Sequence, residues 1–233
     1  MTASTSPKPA PSSVELRIGG LVRLSTCDWP GELVATVFCQ GCPWQCGYCH
    51  NPHLLPARGP DQLAWQDVFA FLETRRGLLD GVVFSGGEPT LQSDLPLAIA
   101  AVRSLGFRIG LHTAGPYPER LARVLPLLDW IGFDVKASFA EYDRITGVAG
   151  SGDGARASLA LVLGSGVSCD LRTTVHPDLL DACALERLSA DLGSLGAGRT
   201  RVQPFRSVAP LTQVPSTANI RPKSTQRIDQ RST

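Results

Sequence analysis

The chain has 233 residues, of which 43% are hydrophobic and 18% charged, with a formal net charge of +1. These values fit one globular domain with a sizeable core, and the near-neutral charge gives no reason to expect binding to nucleic acid or to an anionic membrane. No stretch is apolar enough to span a bilayer or to form a signal peptide. We therefore expect a cytoplasmic protein whose 7 cysteines are ligands or free thiols rather than disulfides.

Apolar runs and amphipathic segments alternate along the chain. Residues 1–13 are expected to be a disordered tail and 206–233 a polar, flexible tail, which leaves 14–205 as the folded domain. A hairpin is expected at 14–28, with Gly19-Gly20 as its turn. Six buried strands are predicted at 33–39, 81–85, 108–113, 130–135, 169–175 and 201–205. Helices are predicted at 63–76, 94–105, 118–128, 155–163 and 185–195.

Strands that alternate with helices pair in parallel through right-handed crossovers. The predicted strands are continuously apolar, as is typical of a sheet that is covered on its faces. The pattern therefore predicts an α/β fold, either an open doubly wound sheet or a curved, incomplete barrel, and the spacing alone does not separate the two. Ligands bind at the carboxyl ends of the strands in both architectures.

Four cysteines crowd into the stretch that follows the first predicted strand: Cys39, Cys42, Cys46 and Cys49. So many thiols in one loop are typical of a metal or cluster site. As four ligands they could close a tetrahedral zinc site or a ferredoxin-type cluster. As three ligands, Cys42, Cys46 and Cys49 would leave one iron of a cubane open and reactive. Cys39 ends an apolar run and is expected to be packed, but the spacing leaves both interpretations open.

The ends of the later predicted strands also carry residues that could take part in chemistry. These residues are Gly86-Gly87-Glu88-Pro89, Thr113, Asp134, Lys136, Arg172 and His176. The paired glycines allow close approach of a ligand to the backbone, or form a plain turn. The aspartate and lysine share one face of a strand, as part of a site or as a solvated ion pair. The arginine suits a carboxylate, because a guanidinium binds both carboxylate oxygens.

The loop Cys42-Pro-Trp-Gln-Cys46-Gly-Tyr-Cys49 resembles the cluster loop of the radical S-adenosylmethionine (SAM) superfamily. The longer stretch 20–55, which includes Asp28-Trp29-Pro30-Gly31, is similar to the activating enzymes of glycyl-radical enzymes, and most to those of the anaerobic ribonucleoside-triphosphate reductase. The resemblance covers roughly residues 15–206. It implies a partial (β/α)6 TIM-like barrel with mostly parallel strands, and a [4Fe–4S] cluster on Cys42, Cys46 and Cys49.

The resemblance also implies which residues bind SAM, the second cofactor. The glycine-rich segment after the second predicted strand would bind the methionine amino group, the arginine would help to hold the methionyl part, and the tyrosine of the cysteine loop would pack beside the adenine. The aspartate and lysine would lie near the cofactor and the incoming substrate. The full cofactor-binding set is Tyr48, Gly86, Gly87, Glu88, Thr113, Asp134, Lys136 and Arg172.

One segment departs from the pattern of the family. His112-Thr113-Ala114-Gly115 stands where many relatives read Asp-Thr-Asn-Gly. His112 could replace that aspartate in contacting substrate or cofactor, or it could simply fill space.

The implied activity is the reductive cleavage of SAM to a 5′-deoxyadenosyl radical, with no catalytic side chain expected beyond the cluster and the cofactor. The implied partners are a glycyl-radical enzyme, in the first place the anaerobic ribonucleoside-triphosphate reductase, and a flavodoxin- or ferredoxin-type electron donor. One alternative is a radical enzyme for a small molecule, such as a 7-carboxy-7-deazaguanine synthase, although the Gln-Gly-Glu-Gly-like element expected there is Asp28-Trp29-Pro30-Gly31 here. The other is a non-catalytic four-thiolate metal or electron-transfer module.

Overall fold

A computed structural model of the chain describes residues 14–198 and 200–206. The predicted tail 1–13, and the tail 206–233 apart from Arg206, lie outside the described residues. The strands are β1 (Ile18–Ser25), β2 (Val34–Cys39), β3 (Gly81–Gly86), β4 (Arg108–Thr113), β5 (Trp130–Asp134), β6 (Ser168–Val175) and β7 (Arg201–Pro204). The helices are α1 (Trp65–Glu73), α2 (Leu95–Ser104), α3 (Pro118–Val124), α4 (Tyr142–Thr146), α5 (Ser151–Ser165) and α6 (Ala182–Ser194).

The seven strands form one open sheet in the order of the sequence. Strands β2 to β7 are parallel, and β1 pairs antiparallel with β2. Because each parallel strand is added on the same side of the one before it, right-handed crossovers place all the helices on one face of the sheet. A doubly wound sheet would instead require the strand order to reverse. The predicted α/β class is confirmed, and the architecture is the partial barrel with mostly parallel strands.

The two faces of the sheet bury different side chains, because successive residues of a strand point to opposite sides. The face under the helices carries the main core, which includes Val37, Phe84, Leu111, Phe133 and, from the helices, Leu72, Ile99, Leu121 and Leu159. The concave face carries a small separate apolar cluster of Trp29, Val34, Val83 and Trp130. The rest of the concave face is more polar, and the cavity described below opens there.

The hairpin predicted at 14–28 is wrong, because residues Ile18–Ser25 form the single strand β1 instead. Gly19 and Gly20 lie inside this strand rather than in a turn. A Cβ atom at Gly19 would collide with the side chains of Leu54 and Gln40. The glycine therefore serves close packing against the segment after the cysteine loop.

Helix α5 begins four residues earlier than the predicted helix 155–163. The Asp143 carboxylate accepts hydrogen bonds from the backbone N–H groups of Gly150 and Ser151 at 3.0 and 3.1 Å. This side chain satisfies N–H groups at the start of the helix. The helix can therefore begin in the glycine-rich segment, ahead of the residues whose apolar spacing predicted it. None of the helices in the described part of the chain has the length and apolar character needed to cross a membrane.

Candidate active site

A cavity of about 260 Å³ opens on the concave face at the carboxyl ends of the parallel strands, with the cysteine loop after β2 as one wall. Residues from seven separate segments of the chain meet there. All the residues assigned from the sequence to metal or cofactor binding line this cavity: Cys42, Cys46, Cys49, Tyr48, Gly86, Gly87, Glu88, Thr113, Asp134, Lys136 and Arg172.

Three of the four clustered cysteines lie on the cavity. Cys42, Cys46 and Cys49 are partly buried and line it. Cys39 ends β2 with no exposed surface and packs in the main core. Burial also raises the pKa of the Cys39 thiol well above its usual range. The structure therefore separates one core thiol from three cavity thiols.

The arrangement of these thiols also bears on the kind of metal that fits. Burial raises the pKa of Cys42 to about 12, so a metal would have to displace the proton from this thiol as it binds. Among the described residues, no three His, Cys, Asp or Glu side chains lie close enough together to share one metal ion. A zinc site needs its ligands around one centre, whereas each thiolate of a [4Fe–4S] cluster binds a different iron atom. The donor set fits a cluster.

Aromatic side chains anchor the cysteine loop. Trp44 is buried and packs edge-on against Tyr142, with 5.9 Å between the ring centroids. Tyr48 is 4% exposed, and its hydroxyl donates to the Lys136 carbonyl oxygen at 3.3 Å. The N–H of Lys136 donates to the Tyr142 hydroxyl at 3.0 Å. The end of β5 is thus held between the cysteine loop and α4, and Tyr48 fixes backbone as well as lining the cavity.

The paired glycines at the end of β3 allow two backbone segments to lie against one another. Gly86 has a φ of 118°, and a Cβ atom there would collide with the backbone of Cys39. A Cβ atom at Gly87 would collide with the carbonyl oxygen of Gly41. The close approach in this structure is therefore to the chain's own cysteine loop, which the glycines bring to the edge of the cavity.

Glu88 is buried at 2% exposure and uses its carboxylate to hold the end of β4. One carboxylate oxygen accepts from the hydroxyls of Thr90 at 2.6 Å and Thr113 at 2.8 Å, and the other accepts from the N–H of Ala114 at 3.1 Å. Burial raises the pKa of this carboxyl although these hydrogen bonds oppose the rise. Glu88 and Thr113 thus fix the backbone that lines the cavity.

Asp134, Lys136 and Arg172 form a partly buried charged group on one wall. The Asp134 carboxylate is 2.9 to 3.0 Å from two nitrogens of Arg172 and 3.5 Å from Lys136 Nζ. Burial alone would raise the pKa of Asp134, but the charges of Arg172 and Lys136 outweigh it and hold that pKa well below its usual range. Burial alone would lower the pKa of Lys136, but Asp134 raises it. Asp134 and Lys136 are therefore both charged at neutral pH.

The structure also shows what the residue patterns missed. Ser85, Thr174 and Gln203 line the cavity without having been singled out. The alternation along β6 could have found Thr174, which lies two residues after Arg172 on the same face. His176 does not line the cavity, and its ring packs against Phe205 with 4.6 Å between the centroids.

Two curated proteins resemble the chain over most of its length. A protein of Methanocaldococcus jannaschii, provisionally named a glycyl-radical enzyme activating enzyme, is 29% identical over 181 residues, which are 74% of this chain and 73% of that protein. The pyruvate formate-lyase-activating enzyme of Clostridium pasteurianum is 29% identical over 172 residues, 71% of each chain.

Solved structures with the same fold include SuiB of Streptococcus suis with S-adenosylmethionine bound, at a TM-score of 0.57 and 15% identity over 72% of this chain. Another is anSMEcpe with bound AdoMet, at a TM-score of 0.57 and 16% identity over 77% of this chain. The matched regions cover 39% of SuiB and 52% of anSMEcpe, so the chain spans only about two fifths to half of these proteins. At such identities the likeness shows the fold alone.

The family model of the radical SAM superfamily matches residues 36–187, well over half of the chain and nearly all of the parallel sheet that carries the cavity. The chain therefore belongs to the radical SAM superfamily, whose enzymes use a [4Fe–4S] cluster and S-adenosylmethionine.

Proposed function

We propose that this enzyme activates a glycyl-radical enzyme, in the first place an anaerobic ribonucleoside-triphosphate reductase. The observation that carries the proposal is the set of three thiols that share one cavity with Arg172, while Cys39 lies in the core. The names of the two curated relatives support glycyl-radical activation. The choice of the reductase rests on the likeness of residues 20–55.

Cys42, Cys46 and Cys49 would hold the cluster. When bound, the cluster would supply the one-electron chemistry that splits SAM, and the radical so formed would remove a hydrogen atom from a glycine of the partner. The segment at Gly86 to Glu88 would meet the methionine amino group. Arg172 would bind the methionine carboxylate through its planar guanidinium.

The other cavity residues would position the reactants and exclude water. Tyr48 and Glu88 hold the two backbone walls through the hydrogen bonds described above, and such pre-formed walls keep reacting atoms in place. Asp134 and Lys136 would lie near the incoming glycine segment. A cavity enclosed by the cysteine loop and the strand ends would keep water away from the radical.

We further propose that the enzyme works in the cytoplasm with a flavodoxin- or ferredoxin-type electron donor. All seven cysteines are free thiols, which is typical of a reducing compartment. An electron donor is required because the cleavage of SAM consumes one electron that no side chain in the cavity can supply.

The test is to reconstitute the cluster without oxygen and to add SAM, a reductant and candidate glycyl-radical reductases. Electron paramagnetic resonance should then show a protein radical on the reductase, and the variant reductase with its radical-forming glycine changed to alanine should show none. SAM cleavage without a radical in any candidate partner would contradict the proposal and favour a small-molecule substrate.

A further inference from the structure

The turn from Asp28 to Gly31 packs inside the curve of the sheet, next to the cavity. The Trp29 ring is 5% exposed and stacks on Trp130, with 5.4 Å between centroids and 15° between the planes. The Asp28 carboxylate accepts a hydrogen bond from the Thr36 hydroxyl at 2.6 Å. Because Asp28 also lines the cavity, this turn forms part of the floor of the site.

His112 joins this floor to the charged wall. Its Nε2 atom is 2.7 Å from the carbonyl oxygen of Asp28 and 3.2 Å from Nη1 of Arg172. Its Nδ1 atom is 3.2 Å from the hydroxyl of Ser85. A Cβ atom at Gly132 would lie 2.8 Å from the histidine ring and 3.1 Å from Arg172 Cζ. The glycine therefore leaves the room that these two side chains occupy.

The partners of His112 decide which nitrogen carries the proton. A carbonyl oxygen only accepts hydrogen bonds, so at 2.7 Å from Asp28 the Nε2 atom must be the donor. Nδ1 then accepts from the hydroxyl of Ser85. Burial, together with the charge of Arg172, lowers the pKa of His112 to about 4, which keeps the ring neutral at physiological pH.

This tautomer has a consequence for Arg172. A protonated Nε2 cannot accept a hydrogen bond from Nη1 of Arg172, although the two atoms are 3.2 Å apart. The Nε and Nη2 atoms of the guanidinium are committed to Asp134. Among the described residues, Nη1 has no other hydrogen-bond partner. Its hydrogens are available to an acceptor in the cavity.

We propose that His112 is a positioning residue, which fastens the Asp28–Gly31 turn to the sheet through its Nε2–H and leaves Nη1 of Arg172 for the carboxylate of the bound cofactor. The fastening of the turn stands on the contacts alone. The identity of the carboxylate as the methionyl group of SAM rests on the proposed function.

Two variants separate the hydrogen bond from the volume of the ring. His112→Gln keeps a side-chain N–H that can reach the Asp28 carbonyl, whereas His112→Leu fills similar space without a donor. His53→Leu is the matched control, because His53 is exposed and lies outside the cavity. Backbone hydrogen exchange of the segment 26–33 should rise roughly tenfold in His112→Leu, and should stay near the wild-type rate in His112→Gln and in the control.

The dissociation constant for SAM of the reconstituted protein, measured by equilibrium dialysis, should rise roughly tenfold in His112→Leu, because the released Asp28–Gly31 turn no longer supports the floor of the cavity, and much less in His112→Gln. Unchanged exchange in His112→Leu, or no recovery in His112→Gln, would overturn the role of the Nε2–H. Faster exchange with unchanged SAM affinity would overturn the link between the Asp28–Gly31 turn and cofactor binding.

The protonation of His112 can be measured on the wild-type protein itself, with His112→Gln used only to assign its signals. Nitrogen-15 spectra of the histidine-labelled chain should show a neutral ring with the proton on Nε2, in the signals that His112→Gln removes. A proton on Nδ1 would refute the proposal. These spectra and the exchange rates do not depend on a radical partner, so the failure of the proposed activation would leave them unaffected.

Discussion

At the scale of single residues, Asp134 is the charge on which the cavity wall depends. It lies between two cations, Arg172 and Lys136, and each is mostly shielded from water. Removing the one anion from such a group leaves two partly buried cations that repel one another. The group therefore ties the stability of the site to the ionisation of one carboxylate.

We predict that Asp134→Asn lowers the free energy of unfolding by about 1–3 kcal/mol at neutral pH, less than for a fully buried ion pair because the group is partly open to water. The pKa of Asp134 is held below its value in the unfolded chain. Its contribution is therefore complete above about pH 4 and is lost as the pH falls through the folded-state pKa. Urea unfolding at several pH values measures both effects.

The exposed residue Asp61 supplies the control for this experiment, because Asp61→Asn changes the same net charge away from the cavity. If Asp134→Asn and Asp61→Asn unfold at the same urea concentration, the ion pairs contribute nothing to stability. A loss in Asp134→Asn that does not shrink as the solution is acidified would contradict the assigned pKa shift.

At the scale of elements, α6 illustrates how a helix is placed over the sheet. The Asp181 carboxylate accepts a hydrogen bond from the N–H of Ala184 at 2.7 Å, which satisfies one of the free donors at the start of the helix. Ala184, Leu188 and Leu192 are buried along one side of the helix. The cap and the apolar stripe together fix where the helix begins and which side it buries.

Asp181→Ala is expected to destabilise the protein by about 1 kcal/mol, because the N–H of Ala184 loses its acceptor. Asp181→Asn keeps a side-chain oxygen and should remain within a few tenths of a kcal/mol of the wild type. Thermal unfolding followed by circular dichroism compares the two variants. Equal losses in both would mean that the charge, rather than the cap, stabilises the helix.

The sequence predicted β2 to β5 because each is a largely apolar run that is mostly buried, whereas β7, which is exposed along its length, was predicted without such burial. It placed the start of α5 too late, since Asp143 stabilises glycines that lack any helical preference of their own. It missed β1 as a single strand because the Gly19-Gly20 pair is typical of a turn. Local patterns therefore found the strands that are apolar and buried along their length. They failed where a contact with another part of the chain determines the backbone conformation.

At the scale of the whole molecule, the cavity is built by bringing the cysteine loop against the ends of the parallel strands. Most of the residues singled out at strand ends, with His176 as an exception, meet there because those ends converge on one edge of the sheet. The contact between His112 and the Asp28 carbonyl joins residues 84 positions apart. No local pattern indicates such a contact, which is why the role of His112 could only be read from the structure.

We expect ligand binding to stabilise the molecule as a whole, because the cavity draws on seven segments that are assembled only in the folded chain. SAM at about a hundred times its dissociation constant should raise the free energy of unfolding of the reconstituted protein by about 2.7 kcal/mol. Arg172→Ala should require more SAM for the same effect. Thermal unfolding under nitrogen measures both, and a midpoint that does not respond to SAM would contradict binding at this cavity.

The central claim is that three thiols hold the cluster while the fourth belongs to the core. The most direct measurement is the iron and sulfide content, with SAM cleavage, of Cys39→Ala and Cys42→Ala after reconstitution without oxygen. The account predicts that Cys39→Ala retains a full cluster and cleaves SAM, whereas Cys42→Ala loses both properties. A Cys39→Ala protein without its cluster, or a Cys42→Ala protein that keeps one and still cleaves SAM, would contradict it.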